Sequence, residues 1–236
     1  MPRRKKDLSV IDFFDIESPE SNEFRRVLHN LNGAPIGGGE RRAVLVTSAM
    51  LSEGKSLICS FLAMTSARFK NRKTLLIDFD LRRPMIHKLF SVNLQNGVSD
   101  ILTEGIASRN VIKQTALENL DLLTAGKVMS NPSELLSSTA IHRIIEEMKF
   151  YYELILVDSP PLLPVLDPMI LLEEMDGVLI VVKAGETQRD IVVRARDILA
   201  AQKDKVVGVV VNNLKQSLPY HYNYGYYGYH HKPTKQ

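Results

Sequence analysis

A loop rich in small residues carries a lysine followed by a serine, and it lies between two apolar segments. The first apolar segment is residues 43–47, and the loop ends in Gly54, Lys55 and Ser56. Where a strand leads through such a loop into a helix, N–H groups at the helix start bind phosphate oxygens, the lysine reaches the terminal phosphates and the serine hydroxyl binds Mg²⁺. The sequence therefore predicts a nucleotide-binding loop with contacts from Met50, Leu51, Ser52, Glu53, Gly54, Lys55, Ser56 and Leu57.

Two positions of this loop depart from the usual glycine-rich pattern. Ala49 and Ser52 stand where glycines are common. A position that requires positive φ strains serine by about 1–2 kcal/mol, because only glycine adopts this backbone conformation freely. We expect such strain at Ser52.

Two further apolar segments end in aspartates. Residues 74–78 end in Asp78, with Asp80 two positions on, and residues 154–158 end in Asp158. Ligands of open parallel sheets bind outside the carboxyl ends of the strands, so these carboxylates are expected to face the nucleotide. Carboxylate and hydroxyl oxygens suit Mg²⁺, so the three aspartates facing the lysine-serine loop predict a magnesium site, with the Ser56 hydroxyl as a further ligand.

Strand and helix patterns alternate around these residues. Apolar runs with little alternation, typical of strands buried on both faces, are residues 43–47, 74–78, 120–123, 154–158, 177–182 and 206–211. Helical patterns cover residues near 55–70, 132–149 and 187–202. This alternation predicts an α/β fold, a doubly wound, mostly parallel sheet flanked by helices as in P-loop NTPases.

Composition divides the chain into three parts. Residues 1–40 form an N-terminal segment that ends in a glycine-rich hinge, residues 41–214 form the α/β domain, and residues 215–236 form a tail. The tail holds six of the eight tyrosines, at Tyr220, Tyr222, Tyr224, Tyr226, Tyr227 and Tyr229. Since neither a helical nor a strand pattern covers the tail, we expect it to be mobile.

Charge and cysteine content exclude several classes of protein. The net charge of the 236 residues is +3, but residues 7–214 alone carry 23 basic and 27 acidic side chains. A broad nucleic-acid-binding face is therefore excluded. The single cysteine, Cys59, allows no internal disulfide and no C-x-x-C zinc site. The basic start at residues 3–6 is followed by acidic residues and does not resemble a secretory signal.

The motifs together resemble those of bacterial protein-tyrosine kinases of capsular and exopolysaccharide synthesis. The phosphate loop resembles the Walker A motif of that family, residues 75–84 (Leu-Leu-Ile-Asp-Phe-Asp-Leu-Arg-Arg-Pro) resemble its A′ motif, and residues 156–161 resemble its B motif. The resemblance continues through residues 97–102, 125–136, 181–187 and 208–213. It covers nearly the whole chain.

The resemblance implies a mechanism and a set of residue roles. Lys55 and Ser56 would hold phosphates and metal, Asp78 and Asp158 would organise Mg²⁺, and Asp80 would orient or deprotonate an incoming tyrosine hydroxyl. Contacts with the nucleotide are also expected from Arg82, Asn212 and Asn213. ATP and Mg²⁺ are the implied cofactors, and the tail tyrosines are the implied substrate, phosphorylated in trans.

The same resemblance implies partners and a location. Family members pack into rings through a Glu-x-x-Arg-x-x-Arg run, which corresponds here to Glu23, Arg26 and His29, with histidine in place of the second arginine. The implied activator is a membrane-bound polysaccharide co-polymerase that determines chain length, and a tyrosine phosphatase is an implied counterpart. We expect a cytoplasmic protein held at the inner face of the membrane through its partner.

Two other functions share most of these motifs. A partition- or positioning-type ATPase has the same fold, but such proteins usually carry an additional lysine early in the loop, and residues 47–50 contain none. A non-catalytic, nucleotide-gated scaffold of the polysaccharide machinery is the other alternative, suggested by the departures at Leu51, Ser52 and His29.

Overall fold

Seven strands form one sheet at the centre of the computed structural model, which describes residues 8–31 and 40–214. The strands are β1 (Ala43–Ser48), β2 (Thr74–Asp78), β3 (Lys113–Gln114), β4 (Leu120–Leu123), β5 (Leu154–Asp158), β6 (Gly177–Lys183) and β7 (Val206–Asn212). Their order is β3-β4-β2-β5-β1-β6-β7. All neighbours are parallel except β3, which runs antiparallel to β4.

Helices cover both faces of this sheet. The α-helices are α1 (Pro19–Leu31), α2 (Lys55–Phe69), α3 (Ile86–Leu89), α4 (Val98–Glu104), α5 (Ser138–Lys149), α6 (Asp167–Glu173) and α7 (Arg189–Ile198). Short 3₁₀ helices cover Val10–Phe13, Ser108–Asn110, Pro132–Glu134 and Leu199–Lys205. Among the residues that the structure describes, no helix is long and apolar enough to cross a membrane.

The buried side chains divide into two cores, one on each side of the sheet. In β1, Ala43 and Leu45 belong to the core shared with α4, α5, α6 and α7, whereas Val44 and Val46 belong to the core shared with α1, α2 and α3. This division follows from the alternation of side chains along a strand. Since both faces are covered, the central strands are apolar throughout, which explains why their sequences do not alternate.

Helix α1 forms part of the second core. The ring of Phe24 stacks on that of Phe61 in α2 with 5.3 Å between centroids. Leu28 and Leu31 are buried. Helix α1 of the N-terminal segment therefore packs on the helix that follows the phosphate loop, whereas the predicted glycine-rich hinge lies outside the described residues.

The predicted fold class is confirmed, and each of the six predicted strands is found to within one residue of its predicted end. Strand β3 was not predicted, because two polar residues at a sheet edge carry no apolar pattern. The predicted helix at 132–149 is divided into a 3₁₀ turn and α5, since Ser137 has extended backbone and its Oγ accepts the N–H of Ala140 as an N-cap.

The register brings the candidate site residues to one edge of the sheet. Asp78 in β2 lies opposite Asp158 in β5, and Asp158 lies opposite Val46 in β1. The loop after β1 leaves the sheet at the same edge. Three consecutive strands of the sheet therefore deliver the lysine loop and the aspartates to one place.

The start of α4 packs tightly against the end of β4. The N–H groups of Val98 and Ser99 donate to the carbonyls of Thr124 and Ala125, both at 2.9 Å. A Cβ on Gly97 would lie 2.1 Å from the Thr124 carbonyl oxygen and 2.3 Å from the Gly126 nitrogen. Only glycine allows this close approach of two backbones.

Replacing Gly97 by alanine should therefore lower the free energy of unfolding by about 1–3 kcal/mol, because backbone must move to admit the methyl group. The matched control is Gly208→Ala in β7, where a Cβ would meet nothing within 4 Å. We expect the control to change stability by less than about 0.5 kcal/mol. Denaturant unfolding followed by circular dichroism measures both, and equal midpoints for the two variants would contradict this packing.

Candidate functional site

The phosphate loop connects the end of β1 to the start of α2, and the buried side chain of Glu53 holds it from inside. The N–H of Met50 donates to Oε2 of Glu53 (2.7 Å), and the hydroxyl of Thr187 donates to Oε1. Nδ2 of Asn212 donates to the Glu53 carbonyl oxygen (2.9 Å). The loop is therefore fastened to the ends of β6 and β7 by Glu53, whose predicted role was contact with the nucleotide.

Two residues of the loop have left-handed backbone. Gly54, just before α2, has φ of +90°, and a Cβ there would lie 2.2 Å from Nδ2 of Asn212. Ser52 has φ of +64°, although it has a side chain. The strain expected at Ser52 from the sequence is thus present in the backbone, at a cost of about 1–2 kcal/mol.

Lys55 lies between two carboxylates at the start of α2. Its Nζ donates to Oδ2 of Asp80 (2.9 Å) and lies 3.8 Å from Oδ1 of Asp158. The lysine side chain is only 12% exposed. Burial by itself lowers the pKa of Lys55, but the charges of Asp158 and Asp80 outweigh burial and raise it, so the ammonium remains protonated.

Asp158 is fully buried, and Oδ1 of its carboxylate lies 3.8 Å from the Lys55 ammonium. Among the described residues, neither oxygen accepts a hydrogen bond of ordinary geometry. Burial raises the pKa of Asp158 to about 6, although the Lys55 charge and the Ser56 hydroxyl lower it. A buried carboxylate that is only partly satisfied is costly unless a ligand completes it, and carboxylate oxygens are ligands that a magnesium ion accepts.

Asp78 lies beside Asp158 but is satisfied by backbone groups. Its Oδ1 accepts the N–H of Asp80 (3.1 Å), and its Oδ2 accepts those of Met85 (3.1 Å) and Ile86 (3.0 Å). Burial, followed by the charge of Asp158, raises its pKa well above the usual range. In this structure Asp78 therefore shapes the turn after β2.

Ser56 and the two aspartates predicted to hold Mg²⁺ lie at the same edge of the sheet. Among the described residues, no group of three or more His, Cys, Asp or Glu side chains forms a metal site by itself. Any ion here thus needs further oxygen ligands, which a nucleotide's phosphates supply in proteins of this kind.

A cavity of about 360 Å³ opens beside Lys55. It is lined by Leu51, Ser52, Gly54, Lys55, Ser56, Leu57, Asp80, Arg83, Met85 and Leu89. Two of these residues, Met85 and Leu89, were not predicted from the sequence. They follow Asp80 closely along the chain, and that proximity was the only signal that pointed to them.

A second cavity of about 350 Å³ lies on the other side of the loop. Its lining residues are Met50, Leu51, Glu53, Glu186, Thr187, Gln188 and Ile191. The predicted loop residues from Met50 to Leu57 therefore border two neighbouring spaces.

Two residues predicted to contact the nucleotide are placed differently. The guanidinium of Arg82 binds Asp167, with Nε 2.8 Å from Oδ2, and does not line either cavity near the loop. Asn213 has φ of +62° and its N–H donates to Oδ1 of Asn212 (2.8 Å). The Arg82 side chain is thus engaged by the buried Asp167 carboxylate, and its contact with a nucleotide stays a prediction.

The residues predicted for ring assembly lie on α1. Glu23 and Arg26 form an ion pair of 3.3 Å, and His29 is exposed. Arg25 points elsewhere, since its guanidinium donates to the Ile16 carbonyl oxygen and lies 4.2 Å over the ring of Phe69. Arg25 therefore does not replace the arginine that His29 displaces. The six tail tyrosines, from Tyr220 to Tyr229, lie outside the described residues.

Known proteins are similar to this chain in sequence and in architecture. The AAA domain family matches residues 53–190. Tyrosine-protein kinase YwqD of Bacillus subtilis (strain 168) is 33% identical over 220 residues, 93% of this chain and 91% of the relative. The putative tyrosine-protein kinase CapB of Staphylococcus aureus is 31% identical over 228 residues, 95% of this chain and 99% of the relative.

Solved structures agree with these relatives. The kinase domain of the Escherichia coli tyrosine kinase ETK superposes with a TM-score of 0.80 at 26% identity, covering 93% of this chain and 87% of that one. The septum site-determining protein MinD of Pyrococcus horikoshii, solved with Mg-ADP, has a TM-score of 0.63 at 20% identity over 75% of this chain and 72% of its own. That second likeness shows a shared fold alone. This chain belongs to the AAA domain family and, within it, to the bacterial tyrosine-protein kinases.

Proposed function

We propose that this kinase uses Mg-ATP to phosphorylate the tyrosines of its own tail, in trans, and that it regulates the synthesis and export of a capsular or exopolysaccharide. The observation that carries this proposal is the position of Lys55. Its ammonium lies at the mouth of a cavity, 2.9 Å from Asp80 and 3.8 Å from Asp158. A kinase needs a cation for the phosphates, a carboxylate for the acceptor and a carboxylate for the metal at one point.

Phosphate binding is assigned to the loop and to Lys55. The N–H groups that precede and begin α2 are the donors for phosphate oxygens, and the positive end of the helix dipole favours the anion. Lys55 stays protonated and exchanges its bond to Asp80 for a bond to phosphate. Ser56 and Asp158 would hold Mg²⁺, and Asp78 supports them from behind by fixing the turn after β2.

Asp80 is assigned to the acceptor hydroxyl. A tyrosine hydroxyl has an ordinary pKa of about 10 and is a weak nucleophile while protonated. When Lys55 turns to phosphate, the carboxylate of Asp80 loses its cation and becomes free to accept the hydroxyl proton. The Mg²⁺ ion, when bound, neutralises charge on the transferred phosphoryl group.

The substrate is assigned to the tyrosine cluster of residues 220–229. Residues 215–236 carry three basic side chains and none acidic, so the segment would be attracted to a site that holds the negatively charged phosphates of a nucleotide. Each phosphotyrosine adds about −1.5 to −2 charge, which reverses the sign of the segment after a few transfers. Phosphorylation would therefore expel the segment and loosen an assembly that depends on it.

Assembly and location are proposed on the family resemblance. The exposed Glu23–Arg26 pair with His29 is the proposed contact between copies in a ring. A membrane-bound polysaccharide co-polymerase is the proposed activator that brings the kinase to the inner face of the membrane, and a tyrosine phosphatase is the proposed counterpart. The division into segments 1–40, 41–214 and 215–236 is part of the same proposal.

Incubation with Mg-ATP followed by an anti-phosphotyrosine blot tests the kinase assignment. Lys55→Met should lower the signal by about 10²–10³-fold, because the cation that stabilises the transferring phosphoryl group is removed. Lys203→Met, at an exposed position, is the control and should leave the signal unchanged. Release of free phosphate without any phosphotyrosine would instead favour a positioning-type ATPase.

A complementation experiment tests transfer in trans. One variant carries Lys55→Met with an intact tail, and the other has an intact site with all six tail tyrosines replaced by phenylalanine. Neither variant alone should give a signal, whereas their mixture should label the Lys55→Met chain. A silent mixture, with active wild-type protein alongside, would show that transfer is confined to one chain.

Burial of the Asp158 carboxylate makes the free energy of unfolding depend on pH in the protein without nucleotide or metal. Its folded pKa of about 6 exceeds the ordinary value for aspartate of about 3.9, so the folded state binds the proton more tightly than the unfolded state. The associated stability is fully present below the unfolded pKa and is lost as pH rises through 6. Asp158→Asn should therefore raise the free energy of unfolding by about 1–3 kcal/mol at pH 8 and by about half as much at pH 5.

Denaturant unfolding at the two pH values measures this difference. Asp204→Asn, at an exposed position, is the control and should change stability little at either pH. If Asp158→Asn were less stable than wild type at pH 8, the buried carboxylate would not destabilise the protein without ligand.

A further inference from the structure

Arg82 lies two residues after Asp80, the proposed catalytic carboxylate. Its guanidinium makes four hydrogen bonds to three residues. Nε and Nη2 bind the two carboxylate oxygens of Asp167 at 2.8 and 3.3 Å. Nη2 also donates to Oγ of Ser133 (2.9 Å), and Nη1 donates to the carbonyl oxygen of Ser130 (3.0 Å). The hydroxyl of Ser133 in turn donates to Asp167, which is fully buried.

These contacts join three segments that follow the carboxyl ends of β2, β4 and β5. Arg82 belongs to the turn after β2, Ser130 and Ser133 belong to the segment between β4 and α5, and Asp167 is the first residue of α6, which follows β5. A second link connects the first two loops, since the N–H of Met129 donates to the Leu81 carbonyl oxygen (2.9 Å). The turn that carries Asp80 is therefore bound to the start of α6, which follows Asp158 along the chain.

The fastening acts directly on the turn that contains Asp80. Oδ1 of Asp80 accepts the N–H of Arg83 (2.9 Å), which closes the turn, and its Oδ2 accepts the Lys55 ammonium. Arg82 lies between Leu81, whose side chain is buried, and Arg83, whose N–H holds the carboxylate. The bonds of the Arg82 side chain therefore restrain the backbone segment that orients Asp80.

We propose that Arg82 is a positioning residue of the kinase, which clamps the Asp80 turn to Asp167 and Ser133 and thereby holds the Asp80 carboxylate for the acceptor hydroxyl. This inference rests on the proposed role of Asp80. It differs from contact with the nucleotide, because the guanidinium is occupied by protein groups and lines neither cavity beside the loop. A planar, forked guanidinium suits these contacts, since its donors on three nitrogens diverge to reach both Asp167 oxygens, Ser133 and the Ser130 carbonyl oxygen, whereas an ammonium directs all three donors from a single nitrogen.

The test measures transfer to a synthetic peptide of residues 215–236 by the full chain, with the ADP dissociation constant measured separately by titration in the presence of Mg²⁺. For Arg82→Met we expect kcat to fall at least tenfold, while the ADP dissociation constant stays within twofold of wild type. Arg82→Lys, which keeps the charge and disturbs folding less, should lower kcat at least threefold. Arg143→Met, at an exposed position of α5, is the control and should change neither quantity.

Two double variants separate positioning from a loss of stability. Arg82→Met with Asp167→Asn removes the buried carboxylate that the single variant leaves unpaired, so thermal stability should recover while kcat stays low. Arg82→Met added to Asp80→Asn should lower kcat by less than twofold beyond Asp80→Asn alone, because a residue that acts through Asp80 has no further effect once that carboxylate is gone.

Three results would overturn the inference. They are a kcat within twofold of wild type in Arg82→Met, recovery of kcat together with stability in the Asp167 double variant, and full additivity of Arg82→Met with Asp80→Asn. A tenfold weaker ADP affinity with unchanged kcat would likewise return Arg82 to nucleotide binding. If the wild-type chain transferred no phosphate to the peptide, the proposed function itself would fail, which is a different outcome from any of these.

Discussion

The balance between one buried ammonium group and the carboxylates around it determines how this site is built. Lys55 touches Asp80 and lies close to Asp158, while Asp78 stands behind them with its oxygens occupied by backbone N–H groups. Without the lysine, the buried carboxylates of Asp80 and Asp158 would have no nearby positive charge from it to offset their desolvation. The lysine therefore serves the free protein as a counter-ion, and in the proposed function it also binds the phosphates of the nucleotide. Exchange between these two partners would then release Asp80 for the acceptor hydroxyl.

This charge cluster exists because three parallel strands end together. Strand β5 lies between β1 and β2, so the loop after β1 and the aspartates that end β2 and β5 meet at adjacent positions of one edge. Apolar cores on both faces keep these strands from shifting in register, since a slip would expose or misplace buried side chains. The loops at that edge are then tied to one another by Glu53 with Asn212 on one side and by Arg82 with Asp167 on the other.

The fold by itself does not distinguish a kinase from a positioning ATPase. MinD shares the architecture at 20% identity, and the nucleotide-binding loop serves both kinds of protein. The distinction comes from the relatives that match nearly the whole chain, and from features outside the shared fold, among them a tyrosine cluster that a positioning ATPase does not need. The assignment of the enzyme class therefore depends on sequence, whereas the assignment of roles within the site depends on geometry.

The sequence alone determined which segments are strands and which residues stand at their ends, because strands buried on both faces are continuous apolar runs that end where polar chemistry begins. Lys55, Asp78, Asp80 and Asp158 could be found in this way. Only the tertiary structure decided where their neighbours point. Arg82 turns to Asp167, 85 positions away, and the Asp78 carboxylate accepts backbone N–H groups, whereas no backbone N–H of the described residues reaches Asp158. Side-chain direction within a turn depends on partners distant in sequence, and no local pattern of residue types records them.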